Sequence, residues 1–247
     1  MLPHLQRGGK AAILAEEWQT VDAVLHLDWL LRCAQVRRQV TMLWNANNTF
    51  SFERIDWSRL AQAAVITTVS RYMKHRMWEL GVNPLAVPNG LSSDAFVPPA
   101  RDAVAAFQGR VCDRTVVSKV ARWDPDKRWL LAIDTVGAMK RAGWQPLLIA
   151  RGGVEAHGSE VLGRAAAAGL RVVERTAPVP GAPGLLQALA GLRDADIVSL
   201  RSPLDADSRR LLFHGVDAVL ANSGHEPFGL VGLETMAAGI ADTLSMS

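Results

Sequence analysis

Cysteine and tyrosine are nearly missing from this chain: two Cys and one Tyr in 247 residues. Cys33 and Cys112 lie far apart with no C-x-x-C and no Cys/His spacing, which argues against a disulfide framework or a zinc site. They read as free thiols of a reducing compartment, and the expected location is the cytoplasm. Aromatics are few, and eight Trp stand beside six Phe, a composition that favours an α/β design over an all-β one. Long apolar runs are also absent. The most apolar helical stretch, VDAVLHLDWLL, is broken by His26 and Asp28, and the early run AAILA is too short for a secretory signal. There is no dense block of one charge sign: the net charge is +3, and Lys and Arg are scattered. That balance suits small anionic substrates and gives no indication of nucleic acid. No internal repeat, G-x-G-x-x-G fingerprint or Walker spacing is present.

What is present is globular: 49% hydrophobic and 21% charged residues, enough for one large core or two modest ones. Short apolar runs alternate with amphipathic helical patterns. In the first part, the strands AAILA, QVTMLWN and VITTV alternate with helices from Thr20 to Cys33, in IDWSRLAQAA, and in SRYMKHRMWEL, the last opened by Ser70 and closed by Gly81. A Pro, Gly, Asn and Ser cluster from about Pro88 to Ala103 reads as a linker. The second part predicts strands at Thr115 to Ala121, PLLIA, LRVV, DIVSL and DAVLANS. Its helices are Lys127 to Arg141, Glu160 to Ala168, LLQALAGL and ADSRRLLFHGV, with a loop over Ala177 to Gly184. The expected fold class is α/β: two Rossmann-like doubly wound domains, 1–103 including the linker and 104–247.

The stretch ANSGHEPFGLVGLETMAAG, Ala221 to Gly239, is the richest in chemistry. Nine glutamates would give about 0.3 pairs eight residues apart by chance, so the spacing of Glu226 and Glu234 carries little by itself. Position carries more. The stretch follows a strand and opens a helix near Phe228 or Gly229, where backbone N–H groups of Phe228, Gly229 and Leu230 could hold a diphosphate. Ionised carboxylates accept hydrogen bonds only, so Glu226 and Glu234 suit pairs of hydroxyls. In KVARWDPDKRW, Arg122 follows another strand and Lys127 is read as opening the next helix, two cations suited to phosphate. Together these describe a phosphate flanked by polyols, as in a nucleotide-sugar.

Taken in order, VSRYMKHRMWELGV with PNG, ARWDPDK and NSGHEPFGLVGLETMAAG resemble the retaining GT-B glycosyltransferases, the group of glycogen, sucrose and mannosyl-type synthases. AEEWQT and LWNANNTF are similar to bacterial members related to glycogen synthase. The resemblance implies two domains with a cleft between them, the first on the acceptor side and the second holding a UDP-, ADP- or GDP-sugar. It implies transfer of a hexose to an acceptor, with no cofactor and no metal. Glu226 would contact the transferred sugar and Glu234 the ribose. Arg122 and Lys127 would neutralise the departing diphosphate, with Phe228, Gly229 and Leu230 offering N–H groups and His225 lying beside the sugar. The early glycine-rich loop and histidine of that pattern are missing, as are the strand and crossing helix expected after Gly239, so truncation at both ends is expected. Two alternatives stay open: a non-catalytic nucleotide-binding fragment, and a metal-dependent transferase of the GT-A type.

Competing readings of other motifs are structural. The triplets Asp124/Asp126, Asp194/Asp196 and Asp205/Asp207 are about as frequent as chance among fifteen aspartates, and the first is read as a helix cap. RYMKHRMW could present a basic face to an anionic membrane, but a solvated helix over Met73, Met77 and Leu80 is the commoner case. Trp44 and Trp123 are expected in the core, and RGGVEAHG is read as a strand-to-helix turn.

Overall fold

Parallel strands joined by helices build both halves of the chain, as the alternation of apolar runs and amphipathic patterns implies. The computed structural model describes residues 1–239 and the backbone of Thr243–Leu244. It divides into two units, Met1–Gly90 and Leu91–Ser247.

The first unit contains α1 (Leu2–Gln6), β1 (Ala11–Glu16), α2 (Val21–Cys33), β2 (Val40–Ala46), α3 (Trp57–Ala63), β3 (Val65–Thr68), α4 (Arg71–Trp78) and β4 (Leu85–Ala86). Its strands run in the order β1-β2-β3-β4, all parallel. Asp56 and Ser70 cap α3 and α4 by accepting from the N–H groups of Arg59 and Met73. Trp44 is fully buried and in register with Ala15 and Ile66, so one sheet face is core. Leu14, in register with Leu43 and through it with Val65, lies on the other face and is 78% exposed. Met73 and Met77 are buried as expected, but Leu80 is exposed because the chain turns away after Trp78. The short elements α1 and β4 are additions to the sequence reading.

The second unit opens with a single 3₁₀ turn, Ser93–Phe96, followed by α5 (Arg101–Arg110). Then come β5 (Thr115–Val120), α6 (Trp129–Arg141), β6 (Pro146–Arg151), α7 (His157–Ala167), β7 (Val172–Arg175) and α8 (Gly181–Ala188). They are followed by β8 (Ile197–Leu200), α9 (Ala206–Gly215), β9 (Ala218–Leu220), α10 (Leu230–Ala237) and β10 (Thr243–Leu244). The strand order is β10-β9-β5-β6-β8-β7, with every described pair parallel.

Strand alternation divides this core in two. Val116, Leu147, Ile149, Val198 and Val219 pack with residues of α5, α8 and α9 on one face. Val117, Leu148, Ala150 and Ile197 pack with α6 and α7 on the other. Burial on both faces is why these strands read as mainly apolar runs.

Several expectations are corrected here. The supposed linker residues from Leu91 on belong to the second unit, where Arg210 donates to the Asp94 carbonyl at 2.7 Å. The loop over Ala177 to Gly184 is shorter than expected, because α8 starts at Gly181 and carries Pro183 in its first turn, where its missing N–H costs nothing. A β-carbon at Gly184 would lie 1.8 Å from the Val179 carbonyl oxygen, which explains a glycine there. Helix α6 begins at Trp129, so Lys127 sits in the preceding 3₁₀ turn, Pro125–Lys127. The strand thought missing after Gly239 is present as β10, in register with Val219 and Leu220 of β9. The rest of the IADTLSMS tail lies outside the described residues.

Candidate functional site

In an open parallel sheet, ligands bind outside the carboxyl ends of the strands where the chain changes direction. In the second unit that point is between the neighbours β5 and β9: from β5 the chain winds through β6, β7 and β8 on one side, then returns to β9 and β10 on the other. The two sequence stretches singled out for their chemistry leave the sheet at this point.

The turn after β5 is built from its own side chains. Asp124 accepts from the Asp126 N–H at 2.9 Å, and the Arg122 carbonyl accepts from the indole of Trp129 at 2.7 Å. Trp123 is buried against the loop after β6, where a β-carbon at Gly152 would lie 1.9 Å from its ring. Its N–H donates to Glu155 at 2.9 Å. Hydrogen bonds from backbone N–H groups, with Arg122 and Arg151 nearby, hold the Glu155 carboxyl below its ordinary range.

The loop after β9 is fastened to that turn. The Gly224 N–H donates to the Asp126 carbonyl at 2.7 Å, and Lys127 Nζ lies 3.2 Å from Glu226 Oε2 and 3.7 Å from Asp126. Lys127 is mostly covered and Glu226 is substantially exposed. Arg122 is exposed on the same turn.

Helix α10 starts without a side-chain cap. Gly229 takes the N-cap position in the left-handed region at φ +91°, and a β-carbon there would lie 3.6 Å from Glu226 Cγ. The first turn thus has no side-chain cap on its N–H groups, at the positive end of the helix dipole and beside Glu226. Glu234, inside α10, is paired with Arg209 of α9 at 3.4 Å. Burial raises its carboxyl above the ordinary 4.5, against the opposing pull of Arg209. A recess of about 370 Å³ opens at the ends of β7 and β8, lined by Pro178, Val179, Leu200, Ser202, Pro203 and Ser208 among others.

The fold brings Lys127 to Glu226, leaves Arg122 exposed on the same turn, and places Phe228, Gly229 and Leu230 at the head of α10. His225 is half-buried in the same loop. The sequence reading missed three partners. Arg209 is one, and Lys119 and Asn222 are the others, both almost wholly buried beneath the loop. A lone lysine inside the run TVVSKVA was the visible signal for Lys119.

The aspartate triplets have structural work. Asp124 caps its turn, Asp196 accepts from Lys140 Nζ and the Arg171 N–H, and Asp205 caps α9. Among the described residues, no three His, Cys, Asp or Glu side chains gather in a way that could hold a metal. No described helix is long and apolar enough to cross a membrane.

Neither a protein-family model nor a curated protein matches the chain. Solved structures do. Anabaena HepE in complex with UDP is 16% identical with a TM-score of 0.64, over 92% of this chain and 58% of its own. Sucrose-phosphate synthase from Thermosynechococcus elongatus is 18% identical with a TM-score of 0.61, over 98% and 57%. The catalytic domain of starch synthase IV from Arabidopsis thaliana, bound to ADP and acarbose, is 14% identical with a TM-score of 0.64, over 98% and 58%. The fold is that of the GT-B glycosyltransferases. The chain spans a little over half the length of these structures.

Proposed function

We propose that the chain carries the donor site of a retaining glycosyltransferase that moves a hexose from a nucleoside-diphosphate sugar to an acceptor. The carrying observation is the meeting, at the β5/β9 switch point, of Lys127 with Glu226 at 3.2 Å beside the uncapped start of α10. Structures of the same fold holding UDP or ADP support the reading.

In this scheme the diphosphate lies over the first turn of α10. It accepts from the N–H groups of Phe228, Gly229 and Leu230 and is neutralised by Arg122 and Lys127. Lys127 exchanges its ion pair with Glu226 for phosphate oxygen, which frees Glu226 to accept from sugar hydroxyls. Glu234 accepts from the ribose hydroxyls, and the recess beside α9 takes the base. Front-face attack forms the bond from acceptor oxygen to the anomeric carbon as the bond to the diphosphate breaks. The departing phosphate oxygen takes the acceptor proton, so no separate general base is needed. The acceptor side is assigned to the first unit, where Asn47 and Asn48 bond Glu17 at the end of β1.

Isothermal titration of UDP, ADP and GDP and their glucose or mannose derivatives tests this. Binding of one nucleotide series, lost in Glu234→Ala, is expected; a folded sample that binds none of them refutes it.

A further inference from the structure

Lys119 is the one lysine among the described residues that is almost wholly buried, at 1% exposure. It lies on β5, three residues before Arg122, on the sheet face covered by α6. Its Nζ donates to Asn222 Oδ1 at 2.5 Å and reaches the Leu220 carbonyl at 3.5 Å, and it lies 5.1 Å from the centre of the Trp129 ring. Asn222 is itself 4% exposed. An ammonium in such a position must be satisfied by the groups around it, and here two oxygens and an aromatic face do so.

The consequence concerns the loop. Asn222 begins the segment that carries His225 and Glu226, while β5 leads into the turn that carries Arg122 and Lys127. Lys119 is thus the buried tie between the two strand ends. We propose that Lys119 is a positioning residue of this site: through Asn222 it holds the Glu226 loop against the Lys127 turn, and its charge favours an anion bound above. This rests on the donor-site reading for the anion and on the geometry alone for the loop.

The charge is finely held. Burial first, and the nearby Lys127 second, lower the lysine from 10.5 to about 8, with Glu226 acting in the opposite direction. The other titratable or charged groups on the packed elements are Arg122, Asp124, Asp126 and Arg128 around the turn, His225 on the loop, Arg151 at the end of β6, and Asp134, Lys140 and Arg141 on α6. Two opposite pH effects follow. Between about pH 8 and 10.5 the unfolded chain keeps a proton that the folded chain has lost, so this lysine makes the fold more stable as pH rises. Anion affinity moves the other way and weakens as pH rises through about 8, where the charge is lost.

The test compares the full chain with Lys119→Met, Lys119→Arg and Asn222→Ala. Backbone hydrogen exchange without ligand is read over residues 220–227, corrected for intrinsic rates. Faster exchange there in Lys119→Met and Asn222→Ala, with β6 and β8 unchanged, supports the tie; unchanged exchange overturns it. UDP affinity by titration from pH 7 to 9 should fall about tenfold at pH 7 in Lys119→Met and lose its decline with pH, with partial recovery in Lys119→Arg. Wild-type and Lys119→Met curves that run parallel overturn the charge role. Should the wild type bind no nucleotide, the donor reading fails while the exchange arm still decides the tie. Should Lys119→Met fail to fold, Asn222→Ala decides it.

Discussion

Helices α9 and α10 both follow strands of the second unit, yet they begin differently. At α9, Asp205 accepts from the N–H groups of Ser208 at 2.8 Å and Gly181 at 2.6 Å, so its first turn is satisfied within the chain. At α10 the N-cap is Gly229, no side chain caps the helix start, and that start lies beside Glu226 and its cation. A capped helix start stabilises the fold, whereas an uncapped start next to charged groups at a switch point is, in the proposed scheme, the place for an anion.

Four substitutions would break or sharpen this contrast. The largest effect is expected for Lys127→Ala. If it neutralises the leaving diphosphate, about 3 kcal/mol of barrier is lost, roughly a hundredfold in turnover, with melting temperature nearly unchanged. Asp205→Ala should do the reverse, costing about 1 to 2 kcal/mol of stability in denaturant titration while leaving nucleotide affinity intact. Hydrogen bonds from Ser208 and Gly181 hold this aspartate below 3.8, so its contribution is present above that pH and is lost on acidification. The acid limb of the unfolding profile should therefore flatten in the variant.

Gly229→Ala forces a side chain into left-handed backbone next to Glu226. A cost of about 1 kcal/mol in stability and a weaker nucleotide complex are expected, measured together on one sample. The smallest stability effect belongs to Glu234→Gln. Its carboxyl is raised by burial, so ionisation costs the fold stability as pH climbs above 4.5. At pH 7 the variant should melt no lower than wild type while binding nucleotide about tenfold more weakly.

The contrast also shows which parts were legible in the sequence. Strands β5, β6, β8 and β9 were readable because burial on both faces leaves mainly apolar runs, broken only by single polar residues or short pairs such as Ser118 and Lys119. The cap Ser70 announces a helix start through local chemistry. Helix α5 was hidden: only Phe107 of its ten residues is buried, and prolines precede it. Strand β4 is two residues long and exists through pairing with Thr67 and Thr68 of β3. The site residues Arg122, Lys127, Glu226 and Glu234 were visible as charges at strand ends and around a turn. Their partners were not, since the Arg209 pair and the burial of Lys119 depend on elements distant in the chain.

In the proposed scheme a diphosphate binds over the start of α10 between Lys127 and Glu226. Backbone amide shifts of the ¹⁵N-labelled chain on addition of UDP, ADP and GDP test it most directly. For the nucleotide that binds, the largest shifts are expected at Phe228, Gly229 and Leu230 and at the Lys127 turn, with Ser208 at the start of α9 little affected. Saturable binding whose shifts cluster elsewhere, with Phe228 to Leu230 unmoved, would contradict it.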